Sequence, residues 1–128
     1  MTILVVEDDG IISFLLTTLL EKNGYPVAVA ANGFEALTYL QQHVELPRLI
    51  LLDLSMPVMT GWEFREEQQR DPTLAHIPVV IMSALPDLQE KVLGLRVHDY
   101  LEKPIPIPLL LSTVARYYRQ EAGSALSG

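Results

Sequence analysis

The feature that most constrains the fold is a pair of short, very apolar runs that end in acidic residues. Residues 3–6 are followed by Glu7 and Asp8, and residues 49–52 are followed by Asp53. Four consecutive Ile, Leu or Val residues predict a strand that is buried on both faces, as in parallel sheets. A charged carboxylate cannot stay inside such a strand, so these acids are expected just beyond its carboxyl end. Open α/β sheets bind their ligands at that edge.

Strand-like and helix-like runs alternate along the rest of the chain. Strands are predicted at residues 3–6, 27–30, 49–52, 78–82 and 100–101, and helices at 10–22, 34–42, 62–70, 87–95 and 109–120. Five strand–helix units with short connections predict one α/β domain, with a parallel sheet and helices on both faces. We expect this domain to span residues 1–121 and residues 122–128 to form a flexible tail.

The composition limits the possible partners and location. Sixteen acidic against nine basic residues give a net charge of −7, and no basic run is present, so nucleic acid and anionic lipid would be repelled. The N-terminus has no signal-peptide pattern, and the uncharged stretches are too short to span a membrane. The absence of cysteine suits a reducing compartment. We therefore expect a cytoplasmic protein that binds neither nucleic acid nor membranes.

Polar residues at the carboxyl ends of the predicted strands form a set suited to phosphoryl chemistry. If the first and third strands are neighbours, their acids share one cleft, where two carboxylates about 4 Å apart repel by roughly 4 kcal/mol. Glu7, Asp8 and Asp53 can hold a hard cation such as Mg²⁺, which prefers carboxylate oxygens. Asp53 can then attack phosphorus as a nucleophile. Ser83, after the fourth strand, and Lys103, after the fifth, can stabilise the phosphoryl oxygens.

Five motifs resemble the receiver domain of two-component response regulators over residues 3–120. They are Val-Val-Glu-Asp-Asp at 5–9, Asn-Gly-Phe-Glu-Ala-Leu at 32–37, Asp-Leu-Ser-Met-Pro at 53–57 with Gly61, Met-Ser-Ala at 82–84 and Tyr-Leu-Glu-Lys-Pro at 100–104. Each motif alone is weak, whereas all five in this order are highly specific. The resemblance implies a flavodoxin-like, doubly wound, five-stranded sheet of order 2-1-3-4-5, in which the first and third strands are adjacent.

The resemblance also implies the metal ligands and the phosphoacceptor. Asp53 would accept a phosphoryl group from a sensor histidine kinase or a histidine phosphotransfer protein. Asp8 and Asp53 would bind Mg²⁺ directly, Glu7 through water, and Ser55 through its backbone carbonyl. Such a chain is a signalling switch that catalyses only its own phosphorylation and dephosphorylation, and is not otherwise an enzyme. We expect a stand-alone receiver, similar to chemotaxis regulators.

The output side follows from the same resemblance. Tyr100 would be a switch aromatic that turns inward when Ser83 moves toward the phosphate, and Lys103–Pro104 would be a cis peptide. A downstream protein or a second copy would bind the surface formed by the fourth helix, fifth strand and last helix. The first helix is more apolar than one core stripe requires, so part of it is expected to be exposed and able to dock a kinase helix.

The chain departs from the family pattern in several places. Glu7 replaces the commoner Asp, and Thr60 stands where Asp often precedes the glycine. The segment between Ser83 and Lys103 is about two residues shorter than usual, which puts the fourth helix in doubt.

Several other interpretations stay open at this point. The acids after the first strand can be a solvated helix start, and Tyr100 can be plain packing. A phosphatase with an aspartyl nucleophile uses similar groups, but it needs a second Asp where Ser55 stands, and a cap domain. A flavin carrier needs a phosphate loop where this chain has acids. A receiver fold that signals by contact alone, without phosphorylation, is the remaining alternative.

Overall fold

The structure is a computed structural model that describes residues 2–42, 45–54, 56, 58–95 and 97–127. The strands are β1 (Ile3–Val6), β2 (Val27–Ala30), β3 (Leu49–Asp53), β4 (Val79–Ser83) and β5 (Asp99–Glu102). The helices are α1 (Gly10–Lys22), α2 (Gly33–Gln42), α3 (Gly61–Arg70), α4 (Leu88–Lys91) and α5 (Ile107–Ser127), with a 3₁₀ turn at Leu93–Leu95. Within these residues, no helix combines the length and the apolar character that crossing a bilayer requires.

The five strands form one parallel sheet in the order β2-β1-β3-β4-β5, which confirms the predicted topology. The register aligns the carboxyl ends of the strands. Val6 lies beside Leu52, so the residues that follow them, Glu7 and Asp53, leave neighbouring strands at the same level. The sheet edge therefore gathers side chains that are far apart in sequence.

Alternate residues of each strand enter two separate cores, because side chains in a strand point to opposite faces. One face packs against α2 and α3, and the other against α1 and α5, so the sheet is doubly wound as predicted. The first core includes Leu4, Val6, Ile50, Leu52, Ile81, Ala36, Leu40 and Phe64, and the second includes Ile3, Val5, Leu49, Leu51, Val80, Met82, Leu16, Leu20, Leu110 and Val114.

The fourth helix is much shorter than the predicted helix over 87–95. It has four residues, Leu88–Lys91, and a 3₁₀ turn follows it. Asp87 precedes it in the left-handed region, with φ 54°, and its side chain makes no capping hydrogen bond. Without a cap, and with the poor helix former Gly94 at the other end, a longer helix is not favoured. The prediction of one helix over 87–95 is therefore wrong, at the segment where the chain is short.

The last helix is longer than the predicted span of 109–120. It begins at Ile107 because a proline in the first turn, here Pro108, lacks only an N–H that has no helical partner. The backbone stays helical to Ser127, so the predicted end at Gln120 is wrong. The domain limit at residue 121 and the flexibility of residues 122–128 stay predictions.

Candidate functional site

The three acids predicted from the sequence lie together at the carboxyl edge of the sheet. Glu7 follows β1, Asp53 ends β3, and a carboxylate oxygen of each, with one of Asp8, lies within 4.8 Å of the other two. Glu7 and Asp53 are buried, at 2% and 5% exposed, while Asp8 is exposed. Two buried carboxylates at this distance require a positive partner.

Lys103 supplies that partner from the end of β5. Its Nζ donates a hydrogen bond to Glu7 Oε1 at 2.6 Å and lies 3.5 Å from Asp53 Oδ2. Its backbone N–H donates to the carbonyl of Ser83 at 2.8 Å, which ties it to the end of β4. The Lys103–Pro104 peptide is cis, as the resemblance implied.

The pKa values at this edge are shifted by burial and by the crowding of charges. Burial raises the pKa of Glu7, the hydrogen bond with Asp53 raises it further, and Lys103 opposes both. Burial alone would lower the pKa of Lys103, but its contacts with Glu7 and Asp53 outweigh burial and raise it. Partial loss of hydration and then the hydrogen bond with Glu7 raise the pKa of Asp8. When all are ionised, the three carboxylates and one ammonium carry a net charge of −2.

Ser83 lies where the sequence predicted, at the buried end of β4. It is 1% exposed, and its Oγ accepts a hydrogen bond from the backbone N–H of Leu85 at 3.0 Å. Accepting from Leu85 leaves the hydroxyl proton for another acceptor. Its register partner in β5 is Glu102, the residue before Lys103, so the hydroxyl and the ammonium follow adjacent strands.

Tyr100 lies in β5, which β4 separates from β3 and its Asp53. It is partly buried and packs against the core on the α2 and α3 face. Its backbone N–H donates to Asp99 Oδ1 at 2.8 Å. This half-buried position suits a ring that changes its degree of burial, and it equally suits plain packing. The predicted ligand Ser55 lies outside the residues that the structure describes.

The close approach of α3 to the site is a feature that the sequence interpretation missed. A Cβ on Gly61 would lie 2.5 Å from the carbonyl oxygen of Asp53, so only glycine fits there without a shift. The Gly61 N–H donates to the carbonyl of Leu54 at 3.0 Å. Thr60 and Glu63 form a capping box that starts α3 at this point. The Thr-x-x-Glu spacing at 60–63 was the readable signal.

Asp9 has the structural role that its position predicts. Its Oδ1 accepts hydrogen bonds from the backbone N–H groups of Ile11 and Ile12, at 2.9 and 3.2 Å. It is therefore the N-cap of α1 and not part of the acid cluster, which consists of Glu7, Asp8 and Asp53.

Comparisons with known proteins agree with this geometry. The family model for the response regulator receiver domain matches residues 3–115. Protein PilH of Pseudomonas aeruginosa is 34% identical over 114 residues, which are 88% of this chain and 93% of PilH. The probable transcriptional regulator ycf27 of Cyanophora paradoxa is 35% identical over 127 residues, which are 98% of this chain. The chain spans about half, 51%, of that regulator's length.

Solved structures share the same fold. The signal receiver domain of a signal transduction histidine kinase from Syntrophus aciditrophicus superposes with a TM-score of 0.84 at 32% identity. The match covers 93% of this chain and 90% of that one.

Proposed function

The chain belongs to the family of response regulator receiver domains, signalling switches that interact with histidine kinases and downstream targets, and from this premise we propose that Asp53 is its phosphoacceptor. The observation that carries the proposal is Lys103, from β5, lying between Glu7 of β1 and Asp53 of β3. This arrangement joins a buried nucleophilic carboxylate to a cation able to hold a phosphoryl oxygen.

The acid cluster fits a divalent cation. Its ligand atoms lie within 4.8 Å of one another, and its net charge with Lys103 is −2. We propose that Asp8 and Asp53 bind Mg²⁺ directly, that Glu7 binds it through water, and that the backbone carbonyl of Ser55 completes the protein ligands. When bound, Mg²⁺ would neutralise the carboxylates and the phosphoryl oxygens that approach them.

Each side chain of the site then has its own role in the proposed phosphoryl transfer. A carboxylate oxygen of Asp53 attacks phosphorus, a new O–P bond forms, and the N–P bond of a phosphohistidine donor breaks, with the imidazole leaving. Lys103 pairs with one phosphoryl oxygen, which its 3.5 Å separation from Asp53 allows after a small shift. Ser83 donates its hydroxyl proton to a second phosphoryl oxygen.

Phosphorylation would change partner binding through the end of β4. Drawing the Ser83 hydroxyl toward the phosphate would weaken its hydrogen bond with the Leu85 N–H and free the connection to α4. Tyr100 would then turn inward on the adjacent strand. The surface of α4, β5 and α5 would bind a downstream partner or a second copy, with α4 contributing only one turn.

The direct test is incubation with acetyl phosphate and Mg²⁺, followed by intact-mass measurement. We expect one phosphoryl adduct on the wild-type chain and none on Asp53→Asn. Asp9→Asn is the matched control, because it removes one negative charge two residues from Glu7 while keeping an N-cap side chain. An adduct that survives Asp53→Asn, or no adduct on the wild-type chain, would contradict the proposal.

The alternative, a receiver fold that signals by contact without phosphorylation, is not favoured, and the contacts of Lys103 with Glu7 and Asp53 support phosphoryl transfer instead. The same mass measurement separates the two. We also propose a cytoplasmic location and a receiver domain that spans residues 1–121.

A further inference from the structure

The chain has two asparagines, Asn23 and Asn32, and a glycine follows each of them. An asparagine before glycine can lose its side-chain amide spontaneously, because glycine has no Cβ to keep its nitrogen away from the asparagine side chain. The reaction requires that nitrogen to reach the side-chain carbonyl carbon, so hydrogen bonds and packing that fix both residues slow it. The structure fixes the two pairs differently.

The hydrogen bonds of Asn23-Gly24 lie within the end of α1. Both residues are exposed. Asn23 Nδ2 donates to the Leu19 carbonyl at 2.8 Å, and the Gly24 N–H donates to the Glu21 carbonyl at 3.1 Å. Gly24 has φ 89°, and a Cβ there would meet no other part of the described chain within 4 Å. Because helix ends fray, this pair can open without unfolding the core.

Asn32-Gly33 is held by a distant segment as well as by its own helix. Asn32 Oδ1 accepts a hydrogen bond from the Glu35 N–H at 2.8 Å, which caps the start of α2. The Gly33 N–H, on the nitrogen that would attack, donates to the Met59 carbonyl at 3.2 Å. Gly33 is buried, and a Cβ there would lie 2.8 Å from Met59 Cγ, so Met59 packs directly against it. Releasing this nitrogen requires the segment that carries Met59 to move away from α2.

We propose that Asn23 is a site of spontaneous deamidation in the folded chain and that the fold protects Asn32. The Gly24 nitrogen attacks the side-chain carbonyl carbon of Asn23, a C–N bond forms, and ammonia leaves with the proton that the nitrogen loses. Water then opens the cyclic imide. Breaking the C–N bond at the side-chain carbonyl gives aspartate, and breaking it at the main-chain carbonyl gives isoaspartate. The proposal goes beyond the proposed phosphoacceptor function and does not rest on it.

Deamidation at Asn23 would weaken the end of α1. A carboxylate at this position cannot donate to the Leu19 carbonyl, and it adds a negative charge at the negative end of the helix dipole, near Glu21. Isoaspartate also lengthens the backbone before Gly24. The same reaction at Asn32 would be milder, because aspartate caps a helix start as well as asparagine does and its charge is favourable there.

Peptide mapping after incubation of the intact chain in mildly alkaline buffer tests the proposal. Trypsin cuts after Lys22 and Arg48, so one peptide, residues 23–48, carries both pairs, and its fragment ions assign the mass gain to either asparagine. Relative to a sample digested at time zero, we expect Asn23 to react at least about tenfold faster than Asn32 in the folded chain. In urea the two should react at similar rates, because neither is held.

Three outcomes would overturn the proposal. They are equal rates at the two asparagines of the folded chain, a faster reaction at Asn32, and a folded chain in which Asn23 does not react although it reacts in urea.

Two variants check the cause of the difference. Glu35→Ala removes the carboxylate that accepts from the Ala31 N–H at 3.2 Å, so the start of α2 loses one of its bonds. We expect the deamidation of Asn32 to become faster and that of Asn23 to stay unchanged. Asn23→Gln should abolish most of the mass gain of the folded chain, because glutamine must form a larger ring. A mass gain that persists unchanged in Asn23→Gln would contradict the assignment.

The expected weakening of α1 has its own comparison. Asn23→Asp and Asn32→Asp imitate one product of each reaction and add the same charge. Asn23→Asp should lower the melting temperature more than Asn32→Asp does, because only the first places the charge at a helix carboxyl end. An equal or larger loss in Asn32→Asp would contradict the weakening assigned to the end of α1.

Discussion

Lys103 influences whether the buried acids of the site are ionised. Its ammonium lies 2.6 Å from Glu7 Oε1, and this contact opposes the burial that raises the pKa of Glu7. Glu7 is the most buried of the three acids, so its ionisation depends on this single ion pair and on any cation added to the site. Of the two buried acids, Glu7 lies closer to the Lys103 ammonium, at 2.6 Å against 3.5 Å for Asp53.

The raised pKa of Glu7 predicts how stability depends on pH without metal. When an acid has a higher pKa in the folded chain than in the unfolded chain, the folded chain binds more protons between those two values. Stability therefore falls as pH rises from about 4.5, the ordinary value, through the raised pKa of Glu7. Glu7→Gln mimics the protonated acid and removes this contribution.

Urea unfolding in EDTA at a series of pH values measures the effect. We expect the free energy of unfolding of Glu7→Gln, relative to wild type, to increase with pH above 4.5. Asp9→Asn is the control, since Asp9 is exposed and lies outside the cluster. If the difference in the free energy of unfolding between Glu7→Gln and wild type does not change with pH, the raised pKa of Glu7 is contradicted.

At the scale of elements, the connection from β3 to α3 brings the start of that helix into close contact with the end of the strand. The Thr60–Glu63 capping box starts α3, and Gly61 allows its backbone to approach the end of β3. The short α4 is the opposite case, because its N-cap side chain makes no capping bond. The end of β3 that carries Asp53 is therefore packed closely against the start of α3, whereas α4 begins without a side-chain cap.

Gly61→Ala should destabilise the chain by about 1–3 kcal/mol, as overpacking does. The added Cβ would lie 2.5 Å from the Asp53 carbonyl oxygen, at the end of β3, and 2.8 Å from the Cα of Leu54, the next residue; both are backbone atoms. Urea denaturation gives the free energy of unfolding.

Gly94→Ala provides the comparison, because no atom lies within 4 Å of a Cβ there. We expect this variant to be neutral or slightly stabilising, since alanine is a better helix former than glycine. Equal losses in both variants would show that the approach of α3 to β3 is not the cause.

At the scale of the whole molecule, two cores hold the five strands in register, and the register brings the acids together. Folding thus concentrates negative charge at one edge of a chain that already carries −7. A cation that binds the folded chain and not the unfolded chain stabilises the fold in proportion to its occupancy.

Mg²⁺ should therefore raise the melting temperature of the wild-type chain, and EDTA should reverse the rise. A concentration of 100 times the dissociation constant corresponds to about 2.7 kcal/mol. Asp8→Asn should lose most of this stabilisation, whereas Glu21→Gln, which removes one exposed charge at the other end of α1, should keep it. An equal melting shift in both variants would indicate non-specific screening.

Much of the site could be predicted because its signals are local in the sequence. An apolar run that is followed by Glu7 or Asp53 predicts both a buried strand and the residue at which that strand ends. The five motifs, through the family resemblance, indicated which strands are adjacent in the sheet. Ser83 and Lys103 lie at the ends of their strands, as predicted. Helix ends were predicted less well, because the length of α4 and α5 depends on caps and on packing rather than on apolar period.

The sequence by itself determined the strands, their class and the set of polar residues at the strand ends, since side-chain alternation and the cost of burying charge act within a few residues. Only the tertiary structure decided that Lys103 contacts Glu7 and that Gly61 lies against β3. These contacts depend on how segments that are distant in sequence pack against one another, and only the complete fold determines that packing.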